Sequence, residues 1–107
     1  PRLSEAAIHN GVVYLAGQVA EDSSLDIAGQ TQQVLSAVDK LLAEAGSDKT
    51  RVLQATIFLK TLADFPGMNA VWDRWVVAGQ TPPRATVEAK LAKPEYLVEV
   101  KIIAAQR

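Results

Sequence analysis

The stretch Pro82–Val100 holds two residues of types that do chemistry, an arginine and a glutamate. Arg84 follows Pro82-Pro83 and opens the run Arg84-Ala85-Thr86-Val87, while Glu99 stands inside the otherwise apolar Leu97-Val98-Glu99-Val100. A guanidinium can grip a carboxylate through two parallel hydrogen bonds, and a half-buried carboxylate can orient or deprotonate a water. Together they could make a small metal-free site. The chain has no cysteine, which excludes thiolate chemistry and every cysteine-based metal site. Its lone His9 cannot hold a metal by itself and reads as an exposed residue flanking a turn. No cofactor is expected.

The remaining composition narrows the class. At 107 residues the chain is expected to form a single domain, residues 1–107. Apolar residues make up 49% and charged residues 21%, as in soluble globular proteins. A net charge of −1 with no basic cluster argues against a nucleic-acid partner, because backbone binding needs grouped Lys and Arg. No apolar run approaches the roughly 20 residues of a membrane span, and no signal segment opens the chain, so a cytoplasmic location is expected. The start at Pro1 reads as loss of an initiator Met or a few residues more.

The elements that must position Arg84 and Glu99 follow from periodicity. Ala6 and Ile8, then Asn10-Gly11, then Val12 to Leu15 predict a hairpin with a type I′ turn. From about Asp26 to Ala45, Val34, Val38, Leu41, Leu42 and Ala45 line one face of a helix, with Gly46 at its C-terminal cap. Gln30, Gln32, Gln33 and Lys40 read as its solvated face. Val52 to Leu59 reads as a strand rich in β-branched residues. Phe65, Met68, Trp72, Trp75 and Val76 set the stripe of a second helix over roughly Asp64 to Val77, which makes the tryptophans core anchors. Asn69 lies beside that stripe, facing a possible cleft. Gly79 and Pro82-Pro83 stop the helix just ahead of Arg84.

Arg84 to Ala92 and Leu97 to Ala105 read as strands joined by the loop Lys93-Pro94-Glu95-Tyr96. With Ala92 opposite Leu97, one face pairs Leu91 with Val98, Ala89 with Val100, Val87 with Ile102 and Ala85 with Ala104. That apolar face should carry both helices, giving an α+β layer. The other face pairs Lys90 with Glu99 and Glu88 with Lys101, which on spacing alone are cross-strand ion pairs. Thr86 opposite Ile103, with Ala92 and Leu97, makes this face half apolar and points to burial against another subunit. The register sets Arg84 opposite Ala105, on the order of 20 Å from Glu99. Either the register differs or Arg84 of one subunit meets Glu99 of another, and the second is expected.

Pro83-Arg84-Ala85-Thr86-Val87 followed by Val98-Glu99-Val100 resembles the C-terminal signature of the RidA (YjgF) family of enamine/imine deaminases. Leu15-Ala16-Gly17-Gln18, Ala55-Thr56-Ile57-Phe58-Leu59, and Asp64-Phe65 with Met68-Asn69-Ala70-Val71-Trp72 fit the same family in order, closest to its shorter YoaB-like branch. The resemblance implies a chorismate-mutase-like α+β fold, a mixed sheet with two helices on one face. It further implies a homotrimer around a β-barrel-like core, with ligand sites between subunits. In that scheme Arg84 clamps the substrate carboxylate and Glu99 positions the water that attacks an imine carbon, releasing ammonia and a 2-oxo acid. The backbone at Gly17 and the side chain of Asn69 line the pocket. Three positions depart from the typical deaminase: Thr86 replaces Cys, Ala16 replaces Ser, and Leu3 stands where a pocket Tyr is usual. The expected activity is hydrolysis of 2-aminoacrylate-type intermediates without cofactor, nucleic acid or membrane. A module that binds a small carboxylate without turnover is the alternative, and a purely trimeric scaffold is a third.

Overall fold

In the computed structural model, which describes residues Pro1–Arg107, the chain opens on a tight hairpin. Strands β1 (Ala6–His9) and β2 (Val12–Leu15) pair antiparallel across Asn10 and Gly11, whose φ angles of 51° and 77° are those a type I′ turn requires. A short strand β3 (Gln18–Val19), which the periodicity did not reveal, follows directly. Helix α1 (Ile27–Glu44) starts where the Asp26 carboxylate accepts from the Gly29 N–H at 2.9 Å. Strand β4 (Val52–Leu59) has its predicted bounds. Helix α2 (Phe65–Trp75), with Pro66 in its first turn, gives way to strands β5 (Arg84–Glu88) and β6 (Val98–Ala105).

The sheet order is β1-β2-β6-β4-β5, with β3 also pairing β6. All pairs are antiparallel except β4 with β5, so β4–α2–β5 is a parallel crossover with its helix on one face. This overturns the expected hairpin between residues 84–92 and 97–105. Strand β4 lies between the two, and the Lys90–Glu99 and Glu88–Lys101 pairs do not form. Local alternation suits a hairpin equally well, but residues 89–97 instead carry the chain past the end of β4. The Ala89 N–H donates to Leu59 O and the Lys60 N–H donates to Leu97 O, which fixes both sides of that step.

Alternation along β6 buries Val98, Val100, Ile102 and Ala104 against the helices, as expected. They join Ala55, Ile57 and Leu59 of β4, Val34, Val38 and Leu42 of α1, and Met68, Val71, Trp72 and Trp75 of α2 in one core. Burying each large aliphatic side chain there contributes about 1.5–3 kcal/mol. Strand β5 is turned the other way from expectation: Ala85 and Val87 are exposed on the helix-free face. That face also carries Tyr14, Phe58 and Ile103, and Tyr14 and Val87 keep more than two-fifths of their surface open to solvent.

Gln30 corrects the reading of a solvated helix face, for it is fully buried. The two N–H groups of its amide are shared among Ser23 O at 3.2 Å, Leu25 O at 3.0 Å and Glu95 O at 3.0 Å, and its oxygen accepts from the Leu97 N–H at 3.0 Å. One side chain thus ties α1 to the segment that leads into β6. Gln30→Ala leaves those backbone groups unpartnered in a dry site, and a loss of about 3 kcal/mol is expected in urea unfolding. Gln32→Ala, on the exposed face, should change stability by less than about 0.5 kcal/mol.

Candidate functional site

Arg84 is placed by the parallel ladder. The Ala55 N–H donates to Pro83 O at 3.0 Å, and Arg84 registers with Ala55, whose side chain faces the helices. The arginine therefore reaches toward α2. Its guanidinium carbon stands 5.7 Å from the centroid of Phe65 and 5.1 Å from that of Trp72, within cation–π range of both rings. The side chain makes no hydrogen bond or ion pair. Burial pushes the guanidinium pKa below its usual value, opposed by the charge of Asp73.

Two further polar groups lie in the same neighbourhood without partners. Thr86 follows Arg84 on the same face of β5, and its Oγ1 is buried and unbonded. Asn69 falls four residues after Phe65 and three before Trp72, so it shares their side of α2. Its Oδ1 is likewise buried and unbonded. Buried polar atoms are nearly always satisfied, so two orphans beside an unpaired cation set this surface apart from the rest of the chain. Phe65 and Trp72 were read from the sequence only as core residues. Their spacing around Asn69, on the helix leading into the arginine strand, is the signal that could have revealed their second role.

Glu99 belongs to the other face of the sheet. Ala55 registers with both Arg84 and Ile102, and Glu99 lies an odd three residues from Ile102, so its side chain points away from α2. The two Cα positions are separated by two strand spacings and three residues, roughly 14 Å. The expected separation within one chain therefore holds for a different reason: opposite faces rather than the two ends of a hairpin. Half-buried Glu99 registers with Phe58 on one side and Val19 on the other, and it has no ion-pair or hydrogen-bond partner.

Gly17 lies directly against that carboxylate. A methyl group at Gly17 would stand 2.1 Å from Glu99 Oε2, far inside contact distance. The loop is held by the Ala16 N–H donating to Glu5 O at 2.8 Å and by Gln18 Nε2 donating to Ala16 O at 2.9 Å. Leu3, 70% exposed ahead of β1, belongs to the sheet edge opposite β5. One chain thus brings Arg84, Thr86 and Asn69 together on one face, and Glu99, Gly17 and Ala16 together at the other. None of its three cavities includes Arg84 or Glu99.

The chain is thus a mixed sheet bearing two helices on one face, with Arg84 on an edge strand and Glu99 on a central one. The sequence matches the family described as Endoribonuclease L-PSP over residues 1–106, and the chain belongs to that family. A RutC family protein of Haemophilus ducreyi is 53% identical over 104 residues, covering 97% of this chain and 89% of its own. The RutC family protein YoaB of Escherichia coli is 47% identical over 104 residues, covering 97% and 90%. The crystal structure of a YjgF family member from Neisseria meningitidis superposes with a TM-score of 0.97 at 52% identity, covering 100% of this chain and 89% of that one. The predicted RidA (YjgF) membership and α+β class are thereby established. No helix is long and apolar enough to cross a membrane.

Proposed function

We propose that the chain acts as one 107-residue unit in a homotrimer that hydrolyses enamine or imine intermediates of the 2-aminoacrylate type. The observation that carries this reading is the desolvated, unpaired Arg84 guanidinium beside the unpartnered Thr86 Oγ1 and Asn69 Oδ1. A small planar carboxylate supplies what that arrangement lacks. The open apolar face of the sheet favours packing against further copies, and the reading requires an assembly in which Glu99 of one subunit comes near the Arg84 edge strand of another.

In the resulting site, Arg84 holds the carboxylate of a 2-imino acid while Phe65 and Trp72 keep the guanidinium in place. Glu99 takes a proton from water as its oxygen bonds to the imine carbon. That proton passes to nitrogen to give the carbinolamine, whose hydroxyl proton then moves to nitrogen through the same carboxylate as the carbon–nitrogen bond breaks, and ammonia and a 2-oxo acid leave. Orientation and one polarised water suffice for so activated a bond. No cofactor takes part.

The test is release of 2-oxo acid from freshly generated 2-iminopropionate, followed in real time. A rate equal to the uncatalysed one defeats the hydrolase reading. Calorimetry with 2-oxo acids then separates the second reading, a carboxylate-binding module, which predicts binding without turnover. The separation of Arg84 and Glu99 on opposite faces favours that second reading for any state in which the chain remains a monomer.

A further inference from the structure

Beyond the end of β5, residues 88–94 pass Lys60 and border with it a solvent-open cavity of about 580 Å³. Three of the chain's six lysines, Lys60, Lys90 and Lys93, line this one space. None is ion-paired, for the single ion pair of the chain, Arg107 with Asp48, lies elsewhere. The one acid of the lining, Glu88, directs Oε1 to the Leu62 N–H at 3.0 Å. In a chain of net charge −1, the cavity holds a local excess of two positive charges.

The surrounding backbone is fixed at several points. Lys60 Nζ donates to Pro94 O at 2.7 Å, which anchors the loop and holds one ammonium at the wall. The Ala89 N–H is bonded to Leu59 O, and Gln30 holds Glu95 O and the Leu97 N–H beyond the other end. Lys93 Nζ stands 5.7 Å from the ring centroid of Tyr96. Between the charges the lining is apolar, from Ala89, Leu91 and Pro94.

We propose that this cavity is a second ligand site, separate from the surface around Arg84, for a small phosphomonoester with an apolar or aromatic body. Ammonium groups are compact point charges without the planar fork that suits carboxylates, so a lining with three lysines fits a tetrahedral oxyanion better than a planar one. A dianion neutralises the excess, and its organic body has Ala89, Leu91 and Pro94 to cover. Arg84 does not contribute to the lining, so occupancy is independent of the proposed hydrolysis.

Phenyl phosphate is the probe, titrated into the full chain at low salt and followed by backbone amide NMR. Saturable shifts centred on residues 88–94 are expected, weakening as salt is raised. Lys60→Gln combined with Lys93→Gln should weaken the affinity by about tenfold or more. Arg84→Ala should leave it unchanged. Methyl phenyl phosphate, a monoanion with the same body, should bind about tenfold more weakly, which separates a monoester from a diester such as a nucleic-acid backbone. The proposal is overturned if the shifts do not saturate, if they scatter over every exposed lysine, if the double variant binds as wild type, if the diester binds equally well, or if Arg84→Ala removes the shifts at 88–94. Thermal unfolding of the double variant within a few degrees of wild type rules out misfolding as the cause of lost binding.

Discussion

Arg84→Ala is expected to lower kcat/KM for a 2-imino acid by about 10²- to 10³-fold while leaving the stability of the free protein within about 1 kcal/mol of wild type. The two halves have one cause. The guanidinium is partly desolvated and forms no ion pair, so in the free chain its burial is offset only by contacts with the Phe65 and Trp72 rings and by the more distant charge of Asp73. Removing it forfeits those contacts but relieves the desolvation, and the two effects largely cancel. The ligand carboxylate, by contrast, loses both hydrogen bonds and its counter-charge. Arg84→Lys discriminates further, because it keeps the charge without the fork, and a rate between those of wild type and Arg84→Ala is expected. Steady-state kinetics with urea unfolding of the same preparations checks both halves. Retention of wild-type kcat/KM in Arg84→Ala would remove the arginine from the site.

The sequence made some of this architecture legible and concealed the rest for identifiable reasons. The Asn10-Gly11 turn, both helices and the bounds of β4 are local features, set by turn chemistry and by apolar period within one segment. The buried side of β6 was likewise readable from its strict alternation. Strand β5 was misassigned because Arg84-Ala85-Thr86-Val87-Glu88 alternates as well, and alternation does not say which face a strand turns to the core. Its apolar Ala85 and Val87 point away from the helices, and its polar Arg84 and Thr86 point toward α2. A strand that turns polar side chains toward the helix layer violates the simple pattern, and such violations concentrate where ligands are handled. Gln30 eluded the reading similarly. A glutamine off the apolar stripe is usually solvated, and only the distant segment 95–97 makes it an interior residue. The motifs around Arg84 and Glu99 single out both residues as candidates, yet which faces they occupy depends on β4 lying between them.

Gly17→Ala should separate turnover from folding more sharply than any change at Glu99 itself. Gly17 is not among the glycines at positive φ, so its backbone accepts an alanine and the restriction is steric alone. The added methyl would meet Glu99 Oε2 at 2.1 Å and the carboxylate carbon at 2.9 Å. Because the obstructed group is the free end of a side chain, the carboxylate swings aside and the sheet stays intact. Stability is then expected to change by less than about 1 kcal/mol. A displaced carboxylate no longer reaches the attacking water, and loss of a positioned base lowers kcat by about 10²-fold or more. KM should stay within about threefold, since Arg84, Thr86 and Asn69 lie on the other face and still hold the ligand. Glu99→Gln should give the same pattern, and the double variant Gly17→Ala/Glu99→Gln should lose nothing further, because both changes disable one group. Multiplying losses in that double variant would mean that Gly17 acts on the reaction by a route other than the glutamate, such as direct contact between its backbone and the substrate.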